Sequence, residues 1–414
     1  MAARTVKRRH VSSRLSCKLF IVFTVSIFCV VVLVTAGLFS LHSNSTKPSI
    51  RISTAFFYGP PKIAFLFLVR RNVPLDFLWG AFFQNGDVSN FSIYVHSTPG
   101  FVLDESTTRS HFFYGRQLTN SIQVLWGESS MIQAERLLLS AALEDPANQR
   151  FVLLSDSCVP LYNFSYVYNY IMVSPRSFVD SFLDAKEGRY NPRMSPKIPR
   201  EKWRKGSQWV TLVRNHAEVI VDDEVIFSVF KRYCKRRPPI DIRKGKLNLK
   251  LQKQHNCIPD EHYVQTLLAL HGLEGELERR TVTYTLWNQS ATKTDNKGWH
   301  PITFSYANAG PRKIKEIKVI FWFLIHQQNY FPMFVEVITC FRATIFFSSC
   351  FIFLKQDISH VYYETEYRTE WCHSNSTSVP CFLFARKFSR GAAMRLLSDG
   401  VIDHFELSAL LGNE

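Results

Sequence analysis

Several signatures are missing from this sequence of 414 residues. It has no zinc-finger spacing, no RNP-like aromatic run and no basic zipper, so the motifs of nucleic-acid recognition are absent. No internal repeat recurs, which argues against a solenoid or a propeller. Acidic residues are the minority, 34 against 50 Lys and Arg, giving a net charge of +16. Such a balance suits nucleic acid, an anionic membrane face or an anionic small substrate. The positive charge is spread along the chain, which weighs further against nucleic acid. Asp-x-Asp does not occur anywhere. What is present can fill a sizeable core: 46% of residues are hydrophobic and 14% aromatic. The length allows one large domain or two small ones.

The N-terminus bears on compartment. Arg4, Lys7, Arg8, Arg9, Arg14 and Lys18 form a basic tail over residues 1–18, followed by an uncharged run over 19–41. That run reaches the roughly 20 residues that span a bilayer, whereas a cleaved signal peptide has a shorter apolar core. Thr35-Ala36-Gly37 offers only a weak cleavage site. With the basic flank held in the cytosol, the rest of the chain becomes luminal, as in a type II anchor. Residues 42–61, rich in Ser, Thr and Pro, read as a stem. Sequons at Asn44, Asn90, Asn163, Asn288 and Asn375 agree with a luminal chain. Among nine cysteines, Cys372 and Cys381 bracket a short loop with Pro380, and a disulfide is expected there. Cys234 and Cys257 are a plausible second pair, which leaves Cys158 free. The plainer alternative for each pair is two buried thiols.

Beyond the stem, strands and helices alternate. Strands are expected at Lys62–Val69, Phe91–His96, Ile122–Trp126, Phe151–Leu154 and Val210–Val213. Helices are expected at Pro74–Gln84, from Ser129 or Ser130 to Leu143, Asp222–Cys234 and from Ile258 to about Leu270. This alternation implies an α/β fold with a parallel or mixed sheet flanked by helices. Segments 189–208 and 235–253 are basic and loop-like. The apolar strand from Phe151 runs into Ser155-Asp156-Ser157, and Pro160 stops it. In open α/β sheets the ligand crevice lies just beyond such carboxyl ends, so Asp156 marks a candidate site. A plain turn capped by Asp156 is the alternative.

Seven stretches, taken in order, resemble the plant branch of the core-2/I-branching β-1,6-N-acetylglucosaminyltransferase-like family, glycosyltransferase family 14. They are Trp126-Gly-Glu-Ser-Ser-Met-Ile-Gln-Ala-Glu-Arg136, Leu153-Leu-Ser-Asp-Ser-Cys-Val-Pro-Leu161, Lys205-Gly-Ser-Gln-Trp209, Pro259-Asp-Glu-His262, Trp299-His-Pro301, Tyr362-Tyr-Glu-Thr-Glu-Tyr-Arg368 and Phe384-Ala-Arg-Lys-Phe388. The resemblance implies a Golgi type II membrane protein whose domain, residues 62–414, has a GT-A-like nucleotide-sugar-binding fold. It implies inverting, metal-independent transfer of a sugar, with N-acetylglucosamine first in line, from a UDP-sugar to a glycan or glycoprotein hydroxyl. A catalytically inactive Golgi glycan-binding or interaction protein of the same fold is the second reading. No cofactor beyond the donor is implied.

By the same resemblance Glu261 is the candidate base. An ordinary helix start rich in carboxylates is its plainer reading. With no Asp-x-Asp, lysine and arginine must stabilise the leaving diphosphate. Lys387 is the candidate, with Arg386 beside it and Arg390 near. Animal relatives place a further arginine inside the small disulfide loop. This chain has none there, so Arg368 is the substitute candidate. Trp126, Glu135 and Asp156 are assigned to the nucleotide-sugar cradle, and His96 is a weaker candidate. Trp209, Trp287 and Trp299 could stack on sugar rings, although core packing is the commoner fate of tryptophan.

One stretch has no counterpart in the family. Relatives pass almost directly from a segment like Lys315-Glu-Ile-Lys318 to the Tyr362–Arg368 motif, whereas here residues 319–356 intervene. The insertion is rich in Phe and Ile and poor in charge. His326, Glu336 and Arg342 cut it into apolar pieces shorter than the roughly 17–25 residues a membrane helix needs. A buried element would show an organising pattern, and none is visible. Phe and Ile codons are U-rich, Val319 can begin with GU and Gln356 can end in AG, so the segment reads as a retained in-frame intron. Sequencing transcripts across the junction tests this. Abundant mRNA should lack codons 319–356; if every abundant transcript carries them and the genomic ends are not GU and AG, the reading is wrong.

Overall fold

The computed structural model describes residues 57–184, 188–236, 257–287, 301–318, 372–374 and 377–400. The expected anchor at 19–41, most of the stem and the 319–356 segment lie outside them, as do Asn44, Asn288, Asn375, Trp299 and Arg368. Among the described residues no helix is long and apolar enough to cross a membrane.

Three parallel strands form one side of the main sheet. They are β1 (Lys62–Leu68), β2 (Phe91–His96) and β3 (Asn148–Ser155), with β1 paired to both others. β3 begins earlier than its apolar run because Asn148 already pairs with Lys62. The remaining strands are β4 (Val159–Pro160), β5 (Ser177–Phe178), β6 (Phe182–Leu183), β7 (Arg204–Lys205), β8 (Thr211–Val213), β9 (Leu277–Glu278), β10 (Thr283–Thr285), β11 (His373–Ser374), β12 (Thr377–Ser378) and β13 (Phe384–Arg386). The six-stranded order is β2-β1-β3-β8-β5-β9, and β8 runs antiparallel to both of its neighbours. The sheet is therefore mixed. A second sheet, β10-β13-β4, abuts the end of β3.

Alternation along β1 builds two cores, one per face. Ile63, Phe65 and Phe67 join the first core, and Ala64, Leu66 and Leu68 the second. Helix α1 (Asp76–Gln84) fills the first with Trp79, Phe82 and Phe83. There the Trp79 ring meets Phe67 edge-on at 5.0 Å, and its Nε1–H donates to the Cys158 carbonyl, so the buried indole is satisfied. Helix α2 (Ser129–Leu143) covers the opposite face with Ile132, Leu138 and Ala142.

Two expectations change. Ile122–Trp126 forms no strand. Its backbone finds side-chain acceptors instead: Ile122 N–H donates to His96 Nε2 and Leu125 N–H to Ser130 Oγ. The expected helix over 222–234 starts only at Val225 and runs to Tyr233, and an unexpected helix, Arg214–Asp222, precedes it. Asp223 parts them because its carboxylate accepts from Ile226 N–H and Phe227 N–H, capping the second helix. Disulfides join Cys234 to Cys257 and Cys372 to Cys381, and Cys158 is free and buried.

Candidate active site

The carboxyl ends of β1, β2 and β3 point the same way, and Gln208–Trp209, which lead into antiparallel β8, arrive at the same edge. A cleft of about 780 Å³ opens there. Its walls include Arg70 after β1, His96 at the end of β2, Asp156 and Ser157 after β3, Trp126, Gln208, Trp209, and Arg386, Lys387 and Arg390 from the far end of the chain.

Strand pairing delivers those last cations. β13 pairs antiparallel with β4, placing Phe384 against Pro160 and Ala385 against Val159. Phe388 N–H then donates to the Ser157 carbonyl at 2.9 Å. The turn after β3 is thus stitched to the Arg386–Lys387 segment. The guanidinium of Arg386 is buried, 4.3 Å above the Trp209 ring. Burial lowers its proton affinity, an effect opposed by Cys158, Asp156 and Asp260. Lys387 is pushed below the ordinary lysine range by partial burial and by Arg386, while Asp156 opposes the shift. Asp156 accepts from Arg70 Nε at 2.8 Å.

Trp126 lies on the rim, with the Arg236 guanidinium 4.0 Å from its ring centroid. That approach needs Gly127: its φ is +74°, and a Cβ there would meet Arg236 Cδ at 2.4 Å. His96 is buried, and burial lowers its proton affinity. The ring is therefore neutral at physiological pH, with Nε2 accepting from Ile122. Glu135 stands one layer behind the cleft. It accepts from Gln208 Nε2 at 2.7 Å, and burial together with nearby Asp260 raises its pKa well above the carboxylate range.

Glu261 is not among the residues lining the cleft. It ends a short 3-10 turn, Pro259–Glu261, and its carboxylate is ion-paired to Arg189 with 23% of the side chain exposed. Its carbonyl accepts from Gly206 N–H at 2.9 Å, so it is attached to the loop that carries Gln208 and Trp209. That loop is held tightly. Ser207 N–H donates to Asp180, Gln265 Nε2 donates to the Ser207 carbonyl, and a Cβ on Gly206 would fall 1.7 Å from the Asp180 carbonyl oxygen. Only glycine fits there. The neighbouring Asp260 is buried, with Oδ1 unpartnered and a pKa raised to about 6, chiefly by burial. Trp287 is not among the residues lining the cleft and forms an isolated bridge with Pro301. Asn163 serves as helix cap, its Oδ1 accepting from Tyr166 N–H.

The structure thus gathers Trp126, His96, Asp156, Trp209, Arg386, Lys387 and Arg390 on one cleft, with Glu135 behind it and Glu261 beside it. Arg70, Gln208 and Asp260 are additions that sequence reading passed over. Asp260 had a signal in Pro259-Asp260-Glu261, but two adjacent carboxylates give no hint of which one is buried. Arg70 is adjacent to Arg71 at a strand end, and two neighbouring arginines give no hint of which one lines a cleft.

The Core-2/I-Branching enzyme family model matches residues 63–318, ending one residue before the apolar insertion. The rice protein "Glycosyltransferase BC10" (Oryza sativa subsp. japonica) is 51% identical over 348 residues, which is 83% of this chain and 78% of the rice protein. A solved structure, an active-site mutant of LgtC, shares 10% identity and covers 56% of this chain and 80% of its own, with a TM-score of 0.29. That likeness is too slight to define the fold.

The buried carboxyl of Asp260 has a consequence for stability. Its folded pKa, about 6, lies above the ordinary 3.8, so the folded state holds its proton more tightly than the unfolded state. Its contribution is complete below pH 3.8 and is lost as pH rises through about 6. The full rise corresponds to on the order of 3 kcal/mol. Unfolding free energy measured across this range should fall with pH in the wild type and flatten in Asp260→Asn. An unchanged slope in the variant would assign the effect elsewhere.

Proposed function

The chain belongs to the Core-2/I-Branching enzyme family, and from that premise we propose that it is an inverting glycosyltransferase acting on a UDP-sugar. The observation that carries this reading is the cleft at the strand carboxyl ends, which collects Arg386 and Lys387 opposite Asp156. A nucleoside diphosphate leaving group gains negative charge as the glycosidic bond breaks. Preorganised cations in a partly dry cleft stabilise that charge without reorganising. Lys387 supplies a point charge, and Arg386, fixed over Trp209, supplies directed N–H donors. Trp126 offers a ring for the base of the nucleotide, and Glu135 orients the Gln208 amide from behind. Arg368 remains a candidate for the same anion.

Glu261 is the proposed base, taking the proton from the acceptor hydroxyl as that oxygen attacks the anomeric carbon. Arg189 keeps its carboxylate paired until the acceptor is in place. N-acetylglucosamine is the proposed sugar, and a glycan or glycoprotein hydroxyl the proposed acceptor. The basic tail, the apolar run and the sequons support a Golgi membrane protein with its domain in the lumen. A second reading, a glycan-binding protein without catalysis, takes its support from the position of Glu261 outside the cleft lining.

Glu261→Gln should lower turnover on the order of a hundredfold or more while leaving UDP binding nearly intact, because the base acts only during attack. Lys387→Ala should weaken UDP binding as well. Binding and turnover measured side by side decide the matter, and wild-type turnover in both variants would move the site elsewhere. A catalytically silent wild type that still binds glycans would favour the second reading.

The protein's own cations are proposed to take the place of a metal. Transfer should therefore survive EDTA. Loss of activity restored by Mn²⁺ alone would overturn this part of the reading.

A further inference from the structure

We propose that Arg70 is a further diphosphate-binding cation, held on Asp156 and handed to the terminal phosphate when the nucleotide enters. The proposal rests on reading the cleft as the donor site with Lys387 at the diphosphate. Arg70 lies two residues past the end of β1, and the main chain from Val69 to Arg71 is anchored at three points. Val69 N–H donates to the His96 carbonyl, Thr98 Oγ1 to the Arg70 carbonyl and Ser97 Oγ to the Arg71 carbonyl. The side chain is the opposite case. It is 91% exposed on the cleft wall, whereas its partner Asp156 is 14% exposed.

Charge counting at the cleft gives the reason for the handover. Among the described lining residues, Arg70, Arg386, Lys387 and Arg390 face a single carboxylate, Asp156. Arg70 also lies near enough to Lys387 to depress its proton affinity, so the two cations share one region of the cleft. Like charges gathered this way are favourable only when an anion arrives. Asp156 is a partial counter-ion, and an ion pair with one exposed partner contributes little. The present contact uses Nε, one of five N–H donors on the guanidinium. A diphosphate presents more charge than one carboxylate and a geometry the arginine fork matches with two N–H donors. Exchange of partners then needs only rotation of an exposed side chain.

The test compares UDP and UMP, which differ by the terminal phosphate. Their affinities for the purified full chain are measured by calorimetry for wild type, Arg70→Ala, Arg70→Lys and Lys387→Ala, with thermal unfolding of each as a control. Arg70→Ala should bind UDP about tenfold more weakly and UMP within about twofold of wild type. Its unfolding temperature should be unchanged, and Arg70→Lys should recover part of the loss. Unchanged UDP affinity in Arg70→Ala, alongside weakened UDP binding in Lys387→Ala, overturns the role of Arg70 and leaves the donor site standing. An equal loss for UDP and UMP also overturns it, since Arg70 would then only shape the cleft through Asp156. If Lys387→Ala binds UDP like wild type, the donor-site reading fails first and this proposal with it.

Discussion

The pairing of β13 with β4 is the contact on which the site depends. Two backbone partners, Phe384 with Pro160 and Ala385 with Val159, tie the chain's late segment to the turn after β3. The hydrogen bond from Phe388 N–H to Ser157 extends the same seam. Without it the cleft would retain Asp156, His96 and Arg70 from the sheet but lose Arg386 and Lys387. The seam is supported by the core beneath it: Trp79 reaches from α1 to the Cys158 carbonyl and packs near Phe384. The aromatic core and the site's cations are therefore fixed by the same short stretch of chain.

Electrostatics run in two layers. Among its described lining residues the cleft surface carries an excess of cations over one carboxylate, as an anion site should. Behind it lie Glu135 and Asp260, both raised by burial, with Glu135 raised further by its neighbour. These inner carboxyls hold protons more tightly than usual, so they cancel less of the cationic field than two ionised groups would. Gln208 joins the layers, its amide bonded to Glu135 behind while its residue lines the cleft. The loop that carries it is held so tightly at Gly206 that a single methyl group has no room.

Much of this was readable in the residues themselves. Runs starting at Lys62, Phe91 and Phe151 marked the three parallel strands; those of β1 and β3 are continuously apolar because both faces are buried, while edge strand β2 alternates. Asp156 at a strand's end, with Pro160 behind it, marked the edge where the cleft opens. The alternation of strands and helices implied the α/β class. The residues of the matched motifs pointed to Trp126, Asp156, Arg386 and Lys387, which the fold does bring to one cleft.

Other features belonged to the tertiary structure alone. Ile122–Trp126 has the look of a strand, yet its backbone bonds to His96 and Ser130, partners distant or inconspicuous in sequence. The direction of β8 could not be inferred, since periodicity reports burial and not polarity of pairing. Which of Asp260 and Glu261 is buried was equally hidden, because adjacent carboxylates look alike until the 3-10 turn orients them. Arg70 became part of a site only when β1 and β3 lay side by side with their ends level, bringing Asp156 within reach of its guanidinium. The sequence by itself determined which residues are apolar, charged or conformationally restricted, and so the local elements and the class of fold. The tertiary structure decided which charges meet, because charge pairing is set by long-range strand register, to which local patterns are blind.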